Sequence, residues 1–318
     1  MIRIALLGAG AHSRTAHALP LQHYAKLHPG RITLSAVCDL DHARADACAR
    51  KYGFEHACTS LQDLMCHPIG PPDALVAILP IPAMLRVTPE LFRLGIPLLI
   101  EKPLGNNLAE ARQLLDEARR TGAMDRTMVS FNRRFDPALR LALEWLRTQE
   151  PPRLVHGAML RAERTEPDFP WGTGLHLIDA LSFAIGSLAL STPAICPHPG
   201  HDNWRQAVFQ GRNRTRVTLE LAPTAGEWEE HIRFLGNGYQ VDVHTGTLPP
   251  GRVRIVHSMR EVLLHRSPDN EPGFITSGAY AENAGFIEAV IARRPFETAT
   301  LADALASSEL AAAIQDRT

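Results

Sequence analysis

The 318 residues carry 33 basic and 34 acidic side chains, and this net charge of −1 argues against a nucleic-acid partner, which needs a basic surface. Hydrophobic residues make up 45% of the chain, which is ordinary globular usage, and the length allows two domains with a core each. No apolar run reaches the roughly 18 to 20 residues of a membrane span, and the amino terminus does not resemble a signal peptide. We expect a cytoplasmic protein with no membrane partner.

The cysteines and histidines indicate neither a disulfide framework nor a metal centre. None of the five cysteines forms a C-x-x-C pair, and no two of the 15 histidines form a helical H-x-x-x-H beside a carboxylate. We therefore predict reduced thiols and no metal ion. The pairs His17/His23 and His198/His201 are expected at the surface, in loops or on helix faces.

The first part of the chain alternates strands with helices. Short apolar runs predict strands at 3–8, 32–39, 74–79, 97–101 and 123–131. Capping residues and glycines predict helices at 41–52, from residue 60, at 88–95 and at 107–122, with Thr88 as the cap of the third. Buried strands separated by helices are typical of a parallel, doubly wound α/β sheet. We assign this sheet to a dinucleotide-binding domain at 1–124.

The remainder of the chain has a different pattern. Helices are predicted at 139–147 and 174–186, with a strand at 153–160 between them. Strand-like runs joined by tight turns dominate from Trp204 to His265, and helices at 280–293 and 301–314 end the chain. The sequence thus predicts an α+β domain at 125–318 with an open, mainly antiparallel sheet. The face of such a sheet needs cover, so we expect a homo-oligomer formed through it.

A glycine-rich turn follows the first strand, in the stretch "LLGAGAHS". Gly8 and Gly10 allow a tight turn and a close backbone approach, so that a pyrophosphate can lie on the N-terminus of the next helix. Ser13 stands where the fingerprint has its third glycine, which serves packing more than phosphate contact. Asp39 ends the second strand, where an acceptor for a ribose 2′-hydroxyl belongs, and its charge repels a 2′-phosphate. NAD is therefore favoured over NADP, although a basic neighbour such as Arg44 can override a single charge.

The stretch "LLIEKPLG" is an apolar strand that ends in Glu101, Lys102 and Pro103. This is the carboxyl edge at which open α/β sheets bind their ligands. Pro103 removes a backbone donor and restricts Lys102 to extended geometry, which directs the ammonium group. A lysine beside a nicotinamide can hold a substrate hydroxyl and move its proton as hydride leaves the same carbon.

In the second domain, "GTGLHLID" places His176 and Asp179 three residues apart on one helical face. A single histidine in so apolar a helix is more often a core residue than a catalytic one. The assignment of His176 as a catalytic residue therefore depends on the other motifs along the chain.

Several motifs together resemble the Gfo/Idh/MocA family, which includes glucose-fructose oxidoreductase and inositol dehydrogenase. They are "GAGAHS", "AVCDLDHARADACARKYG", "EKPLGNNLAEARQLLDEA", "SFNRRFDPAL" and "GLHLIDAL". The resemblance implies a Rossmann domain that binds NAD(P), followed by a domain whose sheet forms one wall of the substrate site and packs against another subunit. It implies that Lys102 contacts substrate and nicotinamide, that the bond to Pro103 is cis, and that His176 is the catalytic histidine.

The resemblance also implies the residues around the cofactor and the substrate. The segment Asn132–Arg134 enters the second domain beside the cofactor. The predicted cofactor-binding residues are Gly8, Gly10, Ala11, His12, Ser13, Asp39, Leu79, Pro80, Glu101, Lys102, Pro103 and Arg134. The predicted substrate residues are Asp168, Trp171, Gly172 and Asp179.

The chain departs from the family at two positions. In dehydrogenases of the family an aspartate usually precedes the histidine by four residues, and here that position is Gly172. The histidine common after the fourth strand aligns with Met84, and Pro89 interrupts the helix there. Three accounts of Gly172 compete. In the first, Asp168 or Glu166 folds back into the vacant space. In the second, which we favour, His176 and Lys102 suffice for catalysis, and the glycine makes room for a larger substrate beside Trp171. In the third, the site no longer oxidises polyols.

These features predict an NAD(P)-dependent dehydrogenase or reductase that acts on CH–OH. It would move hydride between nicotinamide and a carbinol or carbonyl carbon of a sugar, cyclitol or related small molecule. One alternative is the reduction of an imine or a non-sugar carbonyl by the same fold. Another is a non-catalytic, cofactor-bound sensor or scaffold, which the loss of the family aspartate at Gly172 suggests.

Overall fold

A computed structural model describes residues 1–66, 70–198, 201–246 and 250–315, and the chain divides into two compact units. The first unit comprises Met1–Ser130 and Ala279–Leu305, and the second comprises Phe131–Gly278 and Ala306–Thr318. The units therefore change over at 130/131, and a late segment of the chain returns to the first. The predicted boundary at 124/125, between a dinucleotide-binding domain and the α+β domain that follows it, stays a prediction.

The first unit contains the predicted parallel, doubly wound sheet. The strands that the structure describes there are β1 Ile2–Leu7, β2 Ile32–Cys38, β3 His56–Cys58, β4 Ala74–Ala77, β5 Leu98–Ile100 and β6 Thr127–Val129. Their order across the sheet is β3-β2-β1-β4-β5-β6, with every pairing parallel. This is the order of a dinucleotide-binding sheet, in which ligands bind beyond the carboxyl ends of the strands.

Helices connect these strands, and their caps match the sequence signals. They are α1 Ala11–Ser13, a π-helical segment Arg14–Ala18, α2 Leu19–Leu27, α3 His42–Tyr52, α4 Leu61–Met65, α5 Ile81–Arg93 and α6 Leu108–Arg120, with a 3-10 turn at Met124–Arg126. Asp41, Ser60 and Asn107 each accept a backbone N–H from the first turn of the helix that follows, as predicted.

The predicted helix start at Thr88 is wrong. Helix α5 begins at Ile81 and runs through Pro89. A proline inside a helix removes one hydrogen bond and crowds the preceding turn. Burial of the apolar face that includes Met84, Leu91 and Phe92 outweighs this cost, because tertiary packing supplies most of the stability of a helix in a protein.

The second unit contains the open, mainly antiparallel sheet. Its described strands are β7 Leu154–Leu160, β8 Ala189–His198, β9 His201–Gln210, β10 Arg216–Ala222, β11 Glu229–Gly236, β12 Tyr239–His244, β13 Arg252–His257 and β14 Arg260–Arg266. The order is β14-β13-β12-β11-β7-β10-β9-β8, and β7 with β10 is the parallel pair. The sequence did not predict β8, since Pro193 and Pro197 interrupt its pattern; prolines are tolerated in an edge strand such as this one.

The helices of the second unit flank this sheet in sequence. They are a 3-10 helix Asn132–Phe135, α7 Pro137–Leu146, α8 Phe169–Gly172, α9 Leu175–Ile185, a 3-10 turn Arg212–Arg214 and α10 Gly273–Thr276. The chain ends with α11 Ala279–Ala292, which belongs to the first unit, and α12 Leu301–Gln315, which is divided at 305/306; both are close to the two predicted terminal helices. Within the described ranges, no helix has the length and apolar character needed to cross a membrane.

Candidate active site

Gly8 ends β1 in a conformation that only glycine adopts easily. Its φ is +93°, and a Cβ atom there would lie 2.3 Å from the carbonyl oxygen of Ile78, at the end of the neighbouring strand. Its N–H donates to the carbonyl of Cys38 at 2.7 Å. The turn is thus packed tightly against the strands on both sides, as the sequence predicted.

The turn at Gly10 leaves room for a ligand. Apart from its own chain neighbours, no heavy atom among the described residues lies within 4 Å of the place where its Cβ would be, and Gly10 is the N-cap of α1. Ser13, in the third glycine position, donates from Oγ to the carbonyl of Gly8 at 2.5 Å and so closes the turn from inside. Open space at the N-terminus of a helix suits a phosphate group, so this turn fits the pyrophosphate of a dinucleotide. The flanking residues Ala11 and His12 are exposed there.

Asp39 follows β2 and is held in place by backbone donors. Its Oδ2 accepts the N–H of Ala9 at 2.8 Å, and its Oδ1 accepts the N–H of Asp41 at 2.9 Å. Arg44 lies 3.5 Å from Oδ1 of Asp39 and 3.4 Å from Oδ2 of Asp41. Two carboxylates therefore share Arg44, which leaves the local charge acidic.

Glu101, Lys102 and Pro103 follow β5 at the same edge of the sheet as Gly8 and Asp39. The Lys102–Pro103 bond is cis, as the resemblance implied, and Lys102 is half-buried. The backbone N–H of Lys102 donates to Oε2 of Glu101 at 3.1 Å. Gly105, with φ of +108°, donates to the carbonyl of Pro103 at 2.9 Å and turns the chain towards α6.

Lysine is rare in this chain. Of the 33 lysine and arginine residues, only Lys26, Lys51 and Lys102 are lysines. An arginine provides charge and hydrogen bonds but does not release its proton in a protein, whereas a lysine can. A lysine at the carboxyl edge of the sheet is therefore suited to proton transfer.

Glu101 is buried under two histidines, and the sequence did not predict this cluster. Its Oε1 lies 2.9 Å from Nε2 of His12 and 3.1 Å from Nε2 of His17. Burial alone raises the pKa of Glu101, but the hydrogen bonds from the two histidines outweigh it and hold this pKa well below its usual range. His17 is fully buried, so its predicted surface position is wrong, while His23 is half-buried. The side chains of His198 and His201 lie outside the part that the structure describes.

The π-helical segment explains why the histidine cluster was missed. Residues five apart in an α-helix are turned about 140° from each other, because each residue adds about 100°. The segment Arg14–Ala18 is wound more widely, with i to i+5 hydrogen bonds, and this brings His12 and His17 to the same carboxylate. The signal H-x-x-x-x-H would have been informative only if a π-helical turn had been expected.

Leu79 and Pro80 lie between β4 and α5. Leu79 is half-buried, and Pro80 is exposed and caps α5. Both follow the carboxyl end of β4, where a ligand of this sheet would lie. Met84 is 1% exposed and belongs to the core.

In the second unit, Arg134 and Asp179 form a buried ion pair. Nε and Nη2 of Arg134 donate to the two oxygens of Asp179, each at 2.7 Å, and Ser307 donates to Oδ1 at 2.9 Å. The guanidinium also lies over the rings of Phe131 and Phe183. These contacts engage both oxygens of Asp179, and the predicted roles of Asp179 in substrate binding and of Arg134 in cofactor binding stay predictions.

His176 lies in the first turn of α9 and is half-buried. Four residues earlier, a Cβ at Gly172 would meet no heavy atom within 4 Å in the described structure, apart from its chain neighbours and the backbone of its own helix, so the first atom of a side chain is accommodated there. Trp171 is 3% exposed and belongs to the core, and Asp168 is exposed.

Glu166 lies beside Thr173, the residue that follows Gly172. Its carboxylate accepts from Nε of Arg164 at 2.8 Å and from Thr173, and the hydrogen bond from Arg164 lowers its pKa. Glu166 is thus bound to Arg164 and to the chain neighbour of Gly172, and the account in which Glu166 or Asp168 supplies the missing carboxylate stays a prediction. The roles of Lys102, His176 and the other predicted site residues stay predictions.

Comparison with known proteins supports the fold and the cofactor. Residues 2–131 match the family model GFO_IDH_MocA, described as an oxidoreductase family with an NAD-binding Rossmann fold. A Gfo/Idh/MocA family oxidoreductase from Vibrio cholerae aligns with a TM-score of 0.81 and 20% identity, over 99% of this chain and 97% of that chain. A search among curated proteins finds no match.

Two further solved structures have the same fold. A myo-inositol dehydrogenase from Corynebacterium glutamicum aligns with a TM-score of 0.76 and 15% identity, over 98% of this chain and 94% of that chain. Levoglucosan dehydrogenase in complex with NADH aligns with a TM-score of 0.78 and 14% identity, over 98% and 95% of the two chains. Residues 2–131 of this chain thus have the NAD-binding Rossmann fold of the Gfo/Idh/MocA oxidoreductases, as the sequence motifs predicted.

Proposed function

We propose that this protein is an NAD-dependent oxidoreductase that acts on a sugar, a cyclitol or a related small molecule. It would move hydride between C4 of the nicotinamide and a carbinol or carbonyl carbon. The observation that carries the proposal is the position of Lys102 after β5, on the same sheet edge as the glycine turn and Asp39. Homo-oligomer formation through the eight-stranded sheet and a cytoplasmic location stay predictions.

Different residues of the chain would bind the cofactor and transfer the proton. The turn from Gly8 to Ser13 would hold the pyrophosphate, and Asp39 the ribose hydroxyls. Bound NAD supplies the hydride acceptor. Lys102 would hold the substrate oxygen and take its proton, and His176 would anchor the substrate or share that proton.

The charge of Asp39 should set the cofactor preference. In Asp39→Asn the amide oxygen can accept only one of the two backbone N–H groups, of Ala9 or of Asp41, and the charge that favours ribose hydroxyls and repels a 2′-phosphate is lost. Hydrogen bonds to charged groups contribute about 1.5–3 kcal/mol, so we expect the Kd for NADH to rise about tenfold or more and the preference over NADPH to shrink. Fluorescence titration with both nucleotides measures the change.

Asp41→Asn is the matched control for that titration. It removes one negative charge beside Arg44, and asparagine caps a helix as well as aspartate does. NADH affinity should stay within about twofold of the native value, because Asp41 is not placed to meet the ribose. Equal losses in the two variants would show that general charge, and not a ribose contact, is responsible.

Gly172 should affect substrate binding through the space that it leaves beside it. A Cβ at Gly172 meets no crowding from other parts of the described structure, so Gly172→Asp should preserve the fold. If the glycine makes room for a larger substrate, KM should rise with kcat unchanged, and Gly172→Ala should have a smaller effect. A rise in kcat on polyols would instead show that His176 functions better with the carboxylate that the family usually provides.

A substrate screen tests the proposed function directly. The purified protein with NAD or NADH would be offered sugars, cyclitols including myo-inositol, anhydrosugars including levoglucosan, simple ketones and cyclic imines, and the absorbance of reduced nicotinamide would be followed. Turnover of a polyol or its ketone supports the proposal. Turnover of imines alone would favour the reductase alternative, to which the loss of the family aspartate at Gly172 lends support. NADH binding without any turnover would favour a sensor or scaffold.

A further inference from the structure

Asn283 determines which ring nitrogen of His17 carries a hydrogen. The Nδ2 of Asn283 donates to the carbonyls of Ala16 at 3.0 Å and Ala279 at 2.8 Å. These two bonds fix the orientation of the amide, so its Oδ1 is the atom that faces Nδ1 of His17, 3.2 Å away. Since Oδ1 can only accept, Nδ1 of His17 must carry a hydrogen.

The second ring nitrogen of His17 then faces another acceptor. In a neutral imidazole with its hydrogen on Nδ1, Nε2 has a lone pair. This atom lies 3.1 Å from Oε1 of Glu101, whose oxygen also has lone pairs. The two atoms would repel each other, so a cation has to lie between them, and this cation is either a proton or a metal ion.

The distances favour a proton over a metal ion. Ligand atoms of His12, His17 and Glu101 lie within 4.8 Å of one another, and two histidines with a glutamate are a donor set that zinc uses. Ligands about 2.0–2.1 Å from a tetrahedral zinc ion would stand roughly 3.4 Å apart. The two N···O separations are 2.9 and 3.1 Å, which are ordinary hydrogen-bond lengths.

The proton belongs to the imidazole rather than to the carboxyl group. An imidazole binds a proton more tightly than a carboxylate does. The carboxylate of Glu101 is further stabilised by its other oxygen, Oε2, which accepts the N–H of Lys102. The lowered pKa of Glu101 is consistent with this assignment.

We propose that His17 is a buried imidazolium and that its ion pair with Glu101 positions the main chain of Lys102. His17 is 0% and Glu101 7% exposed, so the pair lies inside the first unit. One carboxylate oxygen is fixed by the histidines, and the other holds the N–H of Lys102 directly before Pro103. Any effect of this ion pair on catalysis rests on the proposed function of Lys102. The existence of the ion pair is independent of that function.

Nuclear magnetic resonance of protein labelled with ¹⁵N at histidine tests the protonation state. A neutral imidazole has one ring N–H, whereas His17 should show one-bond N–H correlations at both ring nitrogens. His12→Ala identifies the signals of the other histidine in the cluster, and because His12 is exposed the fold should survive. A His17 ring with a single N–H in the native protein would overturn the proposal.

Glu101→Gln is the decisive variant, because it keeps the hydrogen bonds and removes the charge. Its amide nitrogen can donate to a neutral His17, and its amide oxygen can accept the N–H of Lys102. We expect His17 to lose its Nε2 hydrogen in this variant, which also assigns the signal. An unchanged His17 spectrum would contradict the proposed ion pair.

Hydrogen exchange at the N–H of Lys102 tests the positioning role without any substrate. Exchange should be at least about tenfold faster in Glu101→Ala and close to native in Glu101→Gln, which restores the acceptor. Equal exchange in all three proteins would overturn the positioning role. Uptake of one Zn²⁺ per chain, with loss of the His17 N–H signals, would overturn the proton in favour of a metal site. Neither measurement depends on turnover, so failure here is distinct from failure of the proposed function.

Discussion

Lys102→Arg should be nearly as inactive as Lys102→Ala, although it keeps the positive charge. The proposed role of Lys102 is to take a proton from the substrate hydroxyl as hydride leaves. A guanidinium cannot accept that proton, because it does not lose its own in a protein. General acid–base catalysis contributes about 10²–10⁴-fold, so we expect kcat to fall by about this factor in both variants. The measurement is kcat on the best substrate from the screen.

The other lysines give the control for this experiment. Lys51→Arg, in α3, changes the same atoms at an exposed position and should leave kcat unchanged. NADH affinity of the Lys102 variants should remain within about threefold of native, because the glycine turn and Asp39 are intact. If Lys102→Arg retained most of its activity, Lys102 would act as a fixed charge and the proton would have to go elsewhere.

Arg134→Met should destabilise the second unit strongly. It removes the partner of Asp179, whose carboxylate is 0% exposed, and leaves an uncompensated charge in the core. Breaking one side of a buried ion pair costs roughly 3–5 kcal/mol. Methionine is a matched choice, because it keeps the length and the apolar contacts with Phe131 and Phe183.

Arg140→Met is the control for that loss. Arg140 lies over the same Phe183 ring, at 5.8 Å from its centroid, but it is exposed. We expect a cost of at most about 1 kcal/mol, the size of an exposed cation–π contact. All four tryptophans of the chain lie within Phe131–Gly278, so urea unfolding followed by tryptophan fluorescence reports the second unit. Similar losses in the two variants would mean that the ion pair with Asp179 adds little.

The local signals of the sequence predicted the first unit well. The caps at Asp41, Ser60 and Asn107 and the apolar runs between glycines each depend on residues close in sequence, and all reappear in the structure. The glycine turn and the strand end at Glu101 follow from the same local rules. Because parallel strands bring their carboxyl ends to one edge, these rules were also enough to place Gly8, Asp39 and Lys102 together.

Features that depend on distant parts of the chain were missed. The start of α5 was misplaced because Pro89 is tolerated inside a helix whose face is buried. The burial of His17 depends on Glu101 and on Asn283, which are 84 and 266 residues away in sequence. Likewise, the ion pair of Asp179 with Arg134, across 45 residues, leaves no local pattern and was not predicted.

The wide turn at Arg14–Ala18 also constrains how this region can vary in length. A π-helical turn accommodates an extra residue that an α-helix would have to expel into a loop. Removing one residue there would turn the helix by about 100° between the glycine turn and α2, so that His17 and the buried face of α2 could not both keep their partners. We therefore expect relatives to differ by insertions and deletions inside this helix. A relative that lacks the extra residue must hold its Glu-Lys-Pro turn in place with a side chain other than this histidine.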